Sequence, residues 1–322
     1  MAKSIWVYVE IESGKAKKVS LEALGQASRL GDATAVVLGP GADAVGATLG
    51  AAGAKSVMCD TNAEYAEWLV TPAAETLSAL IAQRKPDAVL FGATGNGRDV
   101  ASRVAARLGL GLLSDAVALE ISGDVFAAKR NSLGGAYVCD MRVTGAPALI
   151  LCRAKSFQAA TGGGAATVET ISVPIRAEAK QARRVEESVE GDRAVNLEEA
   201  DIIVSGGRGL GAPEQFKIVH DLAEAMGAAV GASRAVVDAG WKPHSFQVGQ
   251  TGKTVRPSLY VACAISGAIQ HKVGMQGSGT IVAINKDPDA PIFKFSDYGV
   301  VGDVFEILPK LTEEIRRRKA AR

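Results

Sequence analysis

Polar side chains in the second half of the chain follow apolar runs, at positions where they could bind a nucleotide. Four segments within residues 230–304 carry them: VGASRAVVDAGW, QVGQTGKTV, ISGAIQHKVGM and VAINKDPDAPIFKF. Each is rich in Gly, Ser, Thr, Gln or Asn and lies beside a strand-like apolar segment. Hydroxyl, amide and free backbone N–H groups in such turns bind phosphates and the edges of planar heterocycles. The pattern therefore predicts the nucleotide-binding edge of a sheet rather than a plain core.

Two arginines stand in turns that could bind a phosphate. Arg208 lies in the glycine turn of IIVSGGRGLG, and Arg234 follows Ser233 after the next strand-like run. Glycines let backbone N–H groups approach a phosphate, and a guanidinium adds charge-assisted hydrogen bonds. The spacing does not match the G-x-G-x-x-G fingerprint, and a tight turn with an exposed arginine explains the first pattern equally well. Taken alone, the second pattern is better explained by an N-cap serine and a solvated arginine.

Three further turns offer neutral polar groups. The loop at residues 247–252 could hydrogen-bond the edge of a heterocycle, although a polar hairpin tip is an alternative. Ser266 is expected at a helix N-terminus, where the dipole favours a pyrophosphate. His271 is expected about a turn and a half into that helix, where a lone histidine is more often structural than functional. Asn285 ends the next strand and could bind an adenosine or stabilise a turn.

The elements that must position these residues alternate between β-branched runs and Ala-rich segments of helical period. This alternation predicts an α/β fold: an N-terminal Rossmann-like three-layer domain with a mixed sheet, then a C-terminal domain with a parallel sheet. Residues 115–140 predict a meander of paired strands, and the charged segment 175–200 predicts a surface connection and a possible hinge. The expected domains are residues 1–190 and 195–308, followed by a charged tail at 309–322.

Composition and charge narrow the possible partners. The formal net charge of +1 gives no field that would attract nucleic acid. No apolar run reaches the roughly 18 residues of a membrane helix, so membrane insertion is not expected. The four cysteines are scattered without a CxxC pair, which predicts a cytoplasmic protein and no metal site.

Taken in order, the motifs QVGQTGK, ISGAIQH and AINKDPDAPIF closely resemble the FAD-binding domain of the electron transfer flavoprotein alpha subunit. The resemblance extends over essentially the whole chain and is strongest at residues 205–309. It implies that the C-terminal domain binds FAD. The implied contacts are Arg208, Ser233, Arg234, Val248, Gly249, Gln250, Thr251, Ser266, Gly267, Ala268, Ile269, Gln270, His271, Asn285, Asp303 and Val304.

The resemblance also implies a role for each end of the cofactor. Ser266 suits the pyrophosphate, and Asn285 with Asp303 suits the adenosine. Arg234, Thr251 and His271 would surround the isoalloxazine, with Thr251 near N5 and His271 near O2. A unit charge about 4 Å from the ring, at an effective dielectric constant near 20, contributes roughly 4 kcal/mol. For one electron this corresponds to a potential shift on the order of 170 mV. These residues would therefore tune the flavin rather than catalyse a reaction.

The resemblance further implies an electron carrier rather than an enzyme with its own substrate turnover. The chain would form a heterodimer with an electron transfer flavoprotein beta subunit, packed on residues 1–190. It would accept electrons from acyl-CoA dehydrogenases or other flavoprotein dehydrogenases and deliver them to a membrane quinone oxidoreductase. One alternative is an electron-bifurcating member that uses NADH and a low-potential acceptor. Another is a nucleotide-binding regulatory or scaffold protein without redox function.

Overall fold

The computed structural model describes residues 2–133, 137–186 and 197–320 of the chain. These residues form two compact units, Met1–Ser188 and Val189–Arg322. The expected connection at 175–200 lies partly outside the described residues, which include only its parts 175–186 and 197–200. Within the described ranges, no helix combines the length and the apolar character needed to cross a bilayer.

A parallel sheet forms the centre of the N-terminal unit. Its elements are β1 (Lys3–Val9), β2 (Ile11–Glu12), β3 (Lys15–Ala16), α1 (Lys18–Leu30), β4 (Gly31–Leu38), α2 (Ala42–Gly46), β5 (Ser56–Asp60), α3 (Glu64–Glu67), α4 (Thr71–Arg84), β6 (Ala88–Gly92), α5 (Gly95–Leu108), β7 (Leu112–Ala116), β8 (Ala118–Ser122), β9 (Val125–Ser132), β10 (Tyr137–Arg142), β11 (Ala148–Cys152) and β12 (Thr167–Thr170). The strand order is β12-β5-β4-β1-β6-β11-β7, with every pair parallel.

Side chains alternate between the two faces of this sheet. Along β1, Val7 packs in a core with α1 and α2, whereas Trp6 packs in a second core with α4 and α5. Strands buried on both faces read as continuous apolar runs, which explains why they were recognisable in the sequence. The three-layer α/β fold class is confirmed.

Two details of this unit differ from expectation. The antiparallel strands β8, β9 and β10 form a sheet of their own, so the mixed pairing is divided between two sheets. The Ala-rich run at residues 63–85, whose helical period predicts one helix, is interrupted between α3 and α4, because Trp68 adopts an extended conformation and Pro72 lies in the first turn of α4. The first turn of a helix tolerates proline, because an N–H group there has no intrahelical acceptor to lose, so a new helix starts there.

The C-terminal unit is built on a second parallel sheet. Its elements are β13 (Ile202–Gly206), α6 (Lys217–Met226), β14 (Ala229–Ala232), α7 (Arg234–Asp238), β15 (Leu259–Cys263), α8 (Ile269–Met275), β16 (Thr280–Asn285), β17 (Tyr298–Val301) and α9 (Val304–Ala320). The order is β14-β13-β15-β16-β17, all parallel. The chain adds β14 on one side of β13 and then crosses to β15 on the other. Ligands of such sheets bind beyond the carboxyl ends of the strands at this reversal.

The last helix crosses the boundary expected at residues 308 and 309. It begins at Val304 and continues through Pro309 to Ala320, with Leu308 fully buried in the core beside α6. Pro309 removes one N–H donor in the second turn without ending the helix. The charged tail is therefore the continuation of a helix whose first turns belong to the core.

Candidate functional site

A cleft of about 550 Å³ opens at the carboxyl ends of β13 and β15, where the strand order reverses. Ligand pockets commonly have volumes of about 300–1,000 Å³. The lining consists of Arg208, Gly209, Ser233, Arg234, Ala235, Asp238, Ala264, Ile265, Ser266, Ala268, Gln270, His271, Asn285, Asp287, Ala290 and Pro291. The cleft thus gathers residues from the turns singled out in the sequence, except the loop at residues 247–252.

Glycines bring two turns together at the floor of the cleft. A Cβ on Gly207 would overlap the carbonyl oxygen of Ala264, and a Cβ on Gly209 would lie 3.0 Å from the same oxygen. The turn after β13 therefore lies directly on the turn after β15. Arg208, held between these glycines, projects an exposed side chain at the cleft.

Ser233 precedes α7 in the N-cap position, yet its side chain makes no capping hydrogen bond. Its Oγ is buried and has no hydrogen-bond partner in the part of the chain that the structure describes. Buried polar atoms are normally satisfied, so an orphaned hydroxyl beside a cleft indicates a missing partner. The capping explanation of Ser233 therefore does not account for this residue.

Arg234 forms an ion pair with Asp238 within the same cleft. Its Nε donates to Asp238 Oδ2 at 3.2 Å across one turn of α7. The two side chains are 60% and 61% exposed, so water screens their attraction. The arginine is neither free nor rigidly fixed in this arrangement.

The loop predicted to contact a heterocycle is docked on α8. Gln250 N donates to the carbonyl of Gln270 at 2.8 Å, and Val248 N donates to the carbonyl of Ala232 at 2.9 Å. Thr251 Oγ1 accepts from Gln247 Nε2 at 3.0 Å. The predicted residues Val248, Gly249, Gln250 and Thr251 are not part of the cleft lining in the described chain.

The turn between β15 and α8 is longer than the sequence indicated. Ala264 and Gly267 both have left-handed backbones, with φ of 54° and 85°, and α8 begins only at Ile269. Ser266 therefore lies before the cap residue of the helix, and His271 is in its first turn rather than a turn and a half in. Left-handed Ala264 is uncommon for a residue with a Cβ, which is why its type gave no signal.

His271 is buried at the inner end of the cleft. Its Nε2 lies 2.9 Å from the hydroxyl of Tyr260, while its Nδ1 makes no hydrogen bond in the described residues. Burial lowers the pKa of His271 from 6.5 to about 4, and the nearby carbonyl of Val248 only partly opposes this shift. The imidazole is therefore neutral at ordinary pH, so the ring does not bring a positive charge to this site.

Asn285 performs the turn-stabilising role left open by its sequence. Its Nδ2 donates to the carbonyl of Ile265 at 3.0 Å, and its Oδ1 accepts from Asp287 N at 3.0 Å. Asp303 accepts from Phe305 N at 2.8 Å and so caps α9. Asp303, Val304, Gly267 and Ile269 do not line the cleft in the described residues.

Several lining residues were missed in the sequence. They are Gly209, Ala235, Asp238, Ala264, Ile265, Asp287, Ala290 and Pro291. Asp238 could have been found from its i,i+4 spacing to Arg234, which places both on one helix face. Asp287 is a charged turn residue, and the others are small or apolar residues, so only the strand order reveals their position.

The residues present fit a dinucleotide. The cleft lies at the strand reversal, exposes an arginine at a glycine turn and contains an orphaned buried hydroxyl at Ser233. These features suit phosphates and polar ring atoms. No group of three or more His, Cys, Asp or Glu in the described ranges is arranged to hold a metal ion.

Comparisons with known proteins agree with this assignment. Residues 5–176 match the electron transfer flavoprotein domain, and residues 196–276 match the electron transfer flavoprotein FAD-binding domain. The expectation of FAD is confirmed by the second match. The chain is similar to proteins called electron transfer flavoprotein subunit alpha from Thermoanaerobacterium thermosaccharolyticum and Mycobacterium tuberculosis, at 43% and 47% identity. Each alignment covers 98% of this chain and 99% of the relative.

A protein called FixB from Clostridium saccharobutylicum is similar at 39% identity, over 98% of this chain and 96% of the relative. The resemblance drawn from the motifs is therefore confirmed over nearly the whole length. The chain belongs to the electron transfer flavoprotein alpha subunit family.

Proposed function

We propose that this chain is the FAD-binding subunit of a heterodimeric electron carrier, formed with an electron transfer flavoprotein beta subunit. The observation that carries the proposal is the cleft at the strand reversal with its orphaned Ser233 hydroxyl, inside the unit that contains the matched FAD-binding domain. Bound FAD would supply the redox chemistry, since a flavin accepts and releases electrons. The chain itself would bind, orient and electrostatically tune the cofactor.

The floor of the cleft offers the groups best suited to bind the phosphates of FAD. Arg208 supplies a permanent positive charge, and the turn 264–268 lines the same edge through Ala264, Ile265, Ser266 and Ala268. Ser233 Oγ can donate to a phosphate oxygen that replaces its missing partner. Asn285 would act mainly through the turn that it holds together, because both ends of its amide are engaged.

The isoalloxazine end would meet Arg234, Thr251 and His271. Of these three, only Arg234 carries a charge at ordinary pH, and Asp238 moderates it. The Thr251 hydroxyl accepts from Gln247, which leaves its proton able to donate to a ring nitrogen. Of the remaining predicted contacts, Val248 and Gln250 hold the loop that carries Thr251 through backbone hydrogen bonds. Gly249, Gly267, Ile269, Asp303 and Val304 stay predictions.

The electrons would come from acyl-CoA dehydrogenases or other flavoprotein dehydrogenases and pass to a membrane quinone oxidoreductase, in the cytoplasm. Residues 1–190 would provide the surface for the beta subunit and residues 195–308 the FAD site. This organisation follows from the family to which the chain belongs. The donor and acceptor are properties of partner surfaces, so they require direct measurement.

The test is co-expression with the cognate beta subunit, followed by absorbance spectra during stepwise reduction. One FAD per heterodimer, released on denaturation, supports the proposal. Two FAD per heterodimer, with reduction by NADH, would instead indicate an electron-bifurcating member. A colourless heterodimer that gains no flavin absorbance with added FAD would refute the redox function and favour a regulatory or scaffold protein.

A further inference from the structure

A buried tyrosine stands behind His271, on the central strand of the C-terminal sheet. Tyr260 is wholly inaccessible to solvent within β15, and its hydroxyl lies 2.9 Å from His271 Nε2. The two rings are tilted by 59°, with centroids 6.0 Å apart. Neither the sequence motifs nor the cleft lining include Tyr260, because it reaches the site only through the histidine.

The groups around the imidazole select one of its two neutral tautomers. A neutral histidine carries one proton, on Nδ1 or on Nε2. The carbonyl of Val248 acts on the ring and can only accept a hydrogen bond. The Tyr260 hydroxyl lies 2.9 Å from Nε2. The side chain of Ser205 also acts on this hydroxyl and opposes the burial-driven rise of the tyrosine pKa, which is the effect of a hydrogen-bond donor, so the tyrosine proton is left for Nε2. Both neighbours therefore favour the tautomer with the proton on Nδ1.

The opposite tautomer would leave the buried groups mismatched. With the proton on Nε2, the Tyr260 hydroxyl would have to turn its own proton toward the donating Ser205 hydroxyl, and the ring would no longer offer a proton to the Val248 carbonyl. Each unmatched buried polar group costs about 1–3 kcal/mol. Turning the ring by 180° would place carbon atoms where the two nitrogens now lie, with the same loss. The ring is thus held in one orientation as well as in one protonation state.

We propose that Tyr260 is a positioning residue of the FAD site, which holds His271 in a fixed orientation as a neutral imidazole with its proton on Nδ1. This inference rests on the proposed function, in which His271 meets the flavin. Nδ1 makes no complete hydrogen bond within the described protein, so its proton is available to an acceptor oxygen in the cleft. His271 then contributes a directed hydrogen-bond donor, whereas permanent charge is left to Arg234.

The ring nitrogens can be observed directly by NMR of the full heterodimer with ¹⁵N-labelled histidine. The chain contains 3 histidines, and His271→Gln identifies the resonances of His271 by their loss. At neutral pH the expected spectrum shows a protonated Nδ1 and an unprotonated, hydrogen-bonded Nε2. A protonated Nε2, or protons on both nitrogens at neutral pH, would overturn the proposal.

Tyr260→Phe removes the hydroxyl and keeps the aromatic ring. The expected result is a shift of the His271 Nε2 resonance toward that of a free imidazole nitrogen, with a smaller fraction of the Nδ1-protonated form. Tyr65→Phe in the N-terminal unit is the matched control, since it also deletes a hydrogen-bonded hydroxyl but should leave the His271 signals unchanged. Unchanged His271 signals in Tyr260→Phe would contradict the positioning role.

A second readout separates this inference from the proposed function. In a flavin-loaded heterodimer, Tyr260→Phe should keep stoichiometric FAD and shift the flavin midpoint potential, while Tyr65→Phe should not. A wild-type heterodimer without FAD would refute the proposed function, whatever the tautomer. A flavin-loaded Tyr260→Phe protein with an unaltered potential would refute only the role of Tyr260 toward the flavin. Should Tyr260→Phe fail to fold, the wild-type tautomer alone decides the proposal.

Discussion

The two parallel sheets of this protein each contain a strand reversal, but their carboxyl edges differ. In the N-terminal unit the chain adds β4 on one side of β1 and later β6 on the other. There, Glu10 follows β1 with a buried carboxylate that accepts from Thr94 Oγ1 at 2.6 Å. Thr94 Oγ1 in turn accepts from Gly97 N at 2.8 Å and caps α5. At the C-terminal reversal the corresponding edge is a cleft with an orphaned hydroxyl.

The difference shows that sheet topology provides a place for a ligand and that side chains decide whether the place is used. The N-terminus of α5 would attract an anion, but Thr94 and Glu10 already supply the oxygen atoms there. A phosphate beside the Glu10 carboxylate would also experience like-charge repulsion. At the C-terminal edge the charge is positive, from Arg208, and the Ser233 hydroxyl is still without a partner in the described residues, so a phosphate can bind there.

The largest effect is expected from closing the turn that shapes the C-terminal cleft. Gly267 has φ of 85°, and a Cβ there would overlap the backbone nitrogen of Ile292. Gly267→Ala should lower the free energy of unfolding by about 3 kcal/mol, from left-handed strain and overpacking together, and should abolish FAD retention. Urea unfolding and flavin absorbance of the purified heterodimer measure the two effects.

Gly211→Ala is the matched control for this substitution. Gly211 has a similar φ of 82° but no atom within 4 Å of the added Cβ, so only the strain of about 1 kcal/mol applies. It should retain FAD. Equal losses in the two variants would show that the close approach of Gly267 to Ile292 does not shape the site.

A pH effect of similar size is expected from the neutral imidazole. The folded-state pKa of His271 is about 4, against 6.5 in an ordinary environment. Between these values the unfolded chain binds a proton that the folded chain does not, so the free energy of unfolding falls as pH falls from 6.5 to 4. The loss levels off below pH 4 and reaches on the order of 3 kcal/mol. Urea unfolding of the flavin-free protein between pH 7 and pH 4 measures it.

His271→Gln tests the assignment of this effect to one residue. The variant should be less stable at pH 7, because glutamine does not fill the space of the imidazole ring. Its free energy of unfolding should, however, depend less on pH between 6.5 and 4. A wild-type slope that survives unchanged in His271→Gln would place the titrating group elsewhere and remove the argument for a neutral ring at the cleft.

The sequence predicted the strands that form both edges better than the backbone conformation of the turns between them. Buried parallel strands such as β6 and β15 are continuous apolar runs, which can be recognised without knowing their neighbours. The left-handed backbone of Ala264 could not be recognised, because that conformation is imposed by the packing of the turn and not favoured by alanine. The start of α8, and with it the position of His271, was therefore placed incorrectly.

Residues whose role depends on a distant partner were also beyond reach from sequence. Glu10 looks like any acidic residue after a strand until Thr94, 84 positions away, is seen to bind it. Tyr260 looks like one more apolar strand residue until His271 is placed behind it. Ser233 shows the converse, since the sequence suggests a capping serine and only the structure shows that the cap is not made.

A smaller effect distinguishes the hydroxyl groups of the two edges. Thr94→Ala removes a cap and should cost about 1 kcal/mol of stability without changing FAD affinity. Ser233→Ala removes no hydrogen bond among the described residues, so stability should hold while FAD affinity falls about fivefold, the equivalent of about 1 kcal/mol. Thermal unfolding of the flavin-free protein and titration with FAD measure the pair. A Ser233→Ala variant that loses stability but keeps its FAD affinity would show that the Ser233 hydroxyl is structural, like that of Thr94.

The smallest effect is expected where charge alone is changed, at the exposed pair on α7. Arg234→Ala removes the positive charge proposed to face the flavin and should lower its midpoint potential, whereas Asp238→Asn removes the opposing charge and should raise it. Because both side chains are about 60% exposed, screening should limit each shift to tens of millivolts, roughly 1 kcal/mol or less. Redox titration of the heterodimer against dyes of known potential measures the sign. Shifts in the same direction, or no shift in Arg234→Ala, would mean that this pair acts on the fold and not on the flavin. Opposite shifts would show that the C-terminal edge differs from the N-terminal edge in the charge it presents to a ligand as well as in having an open cleft.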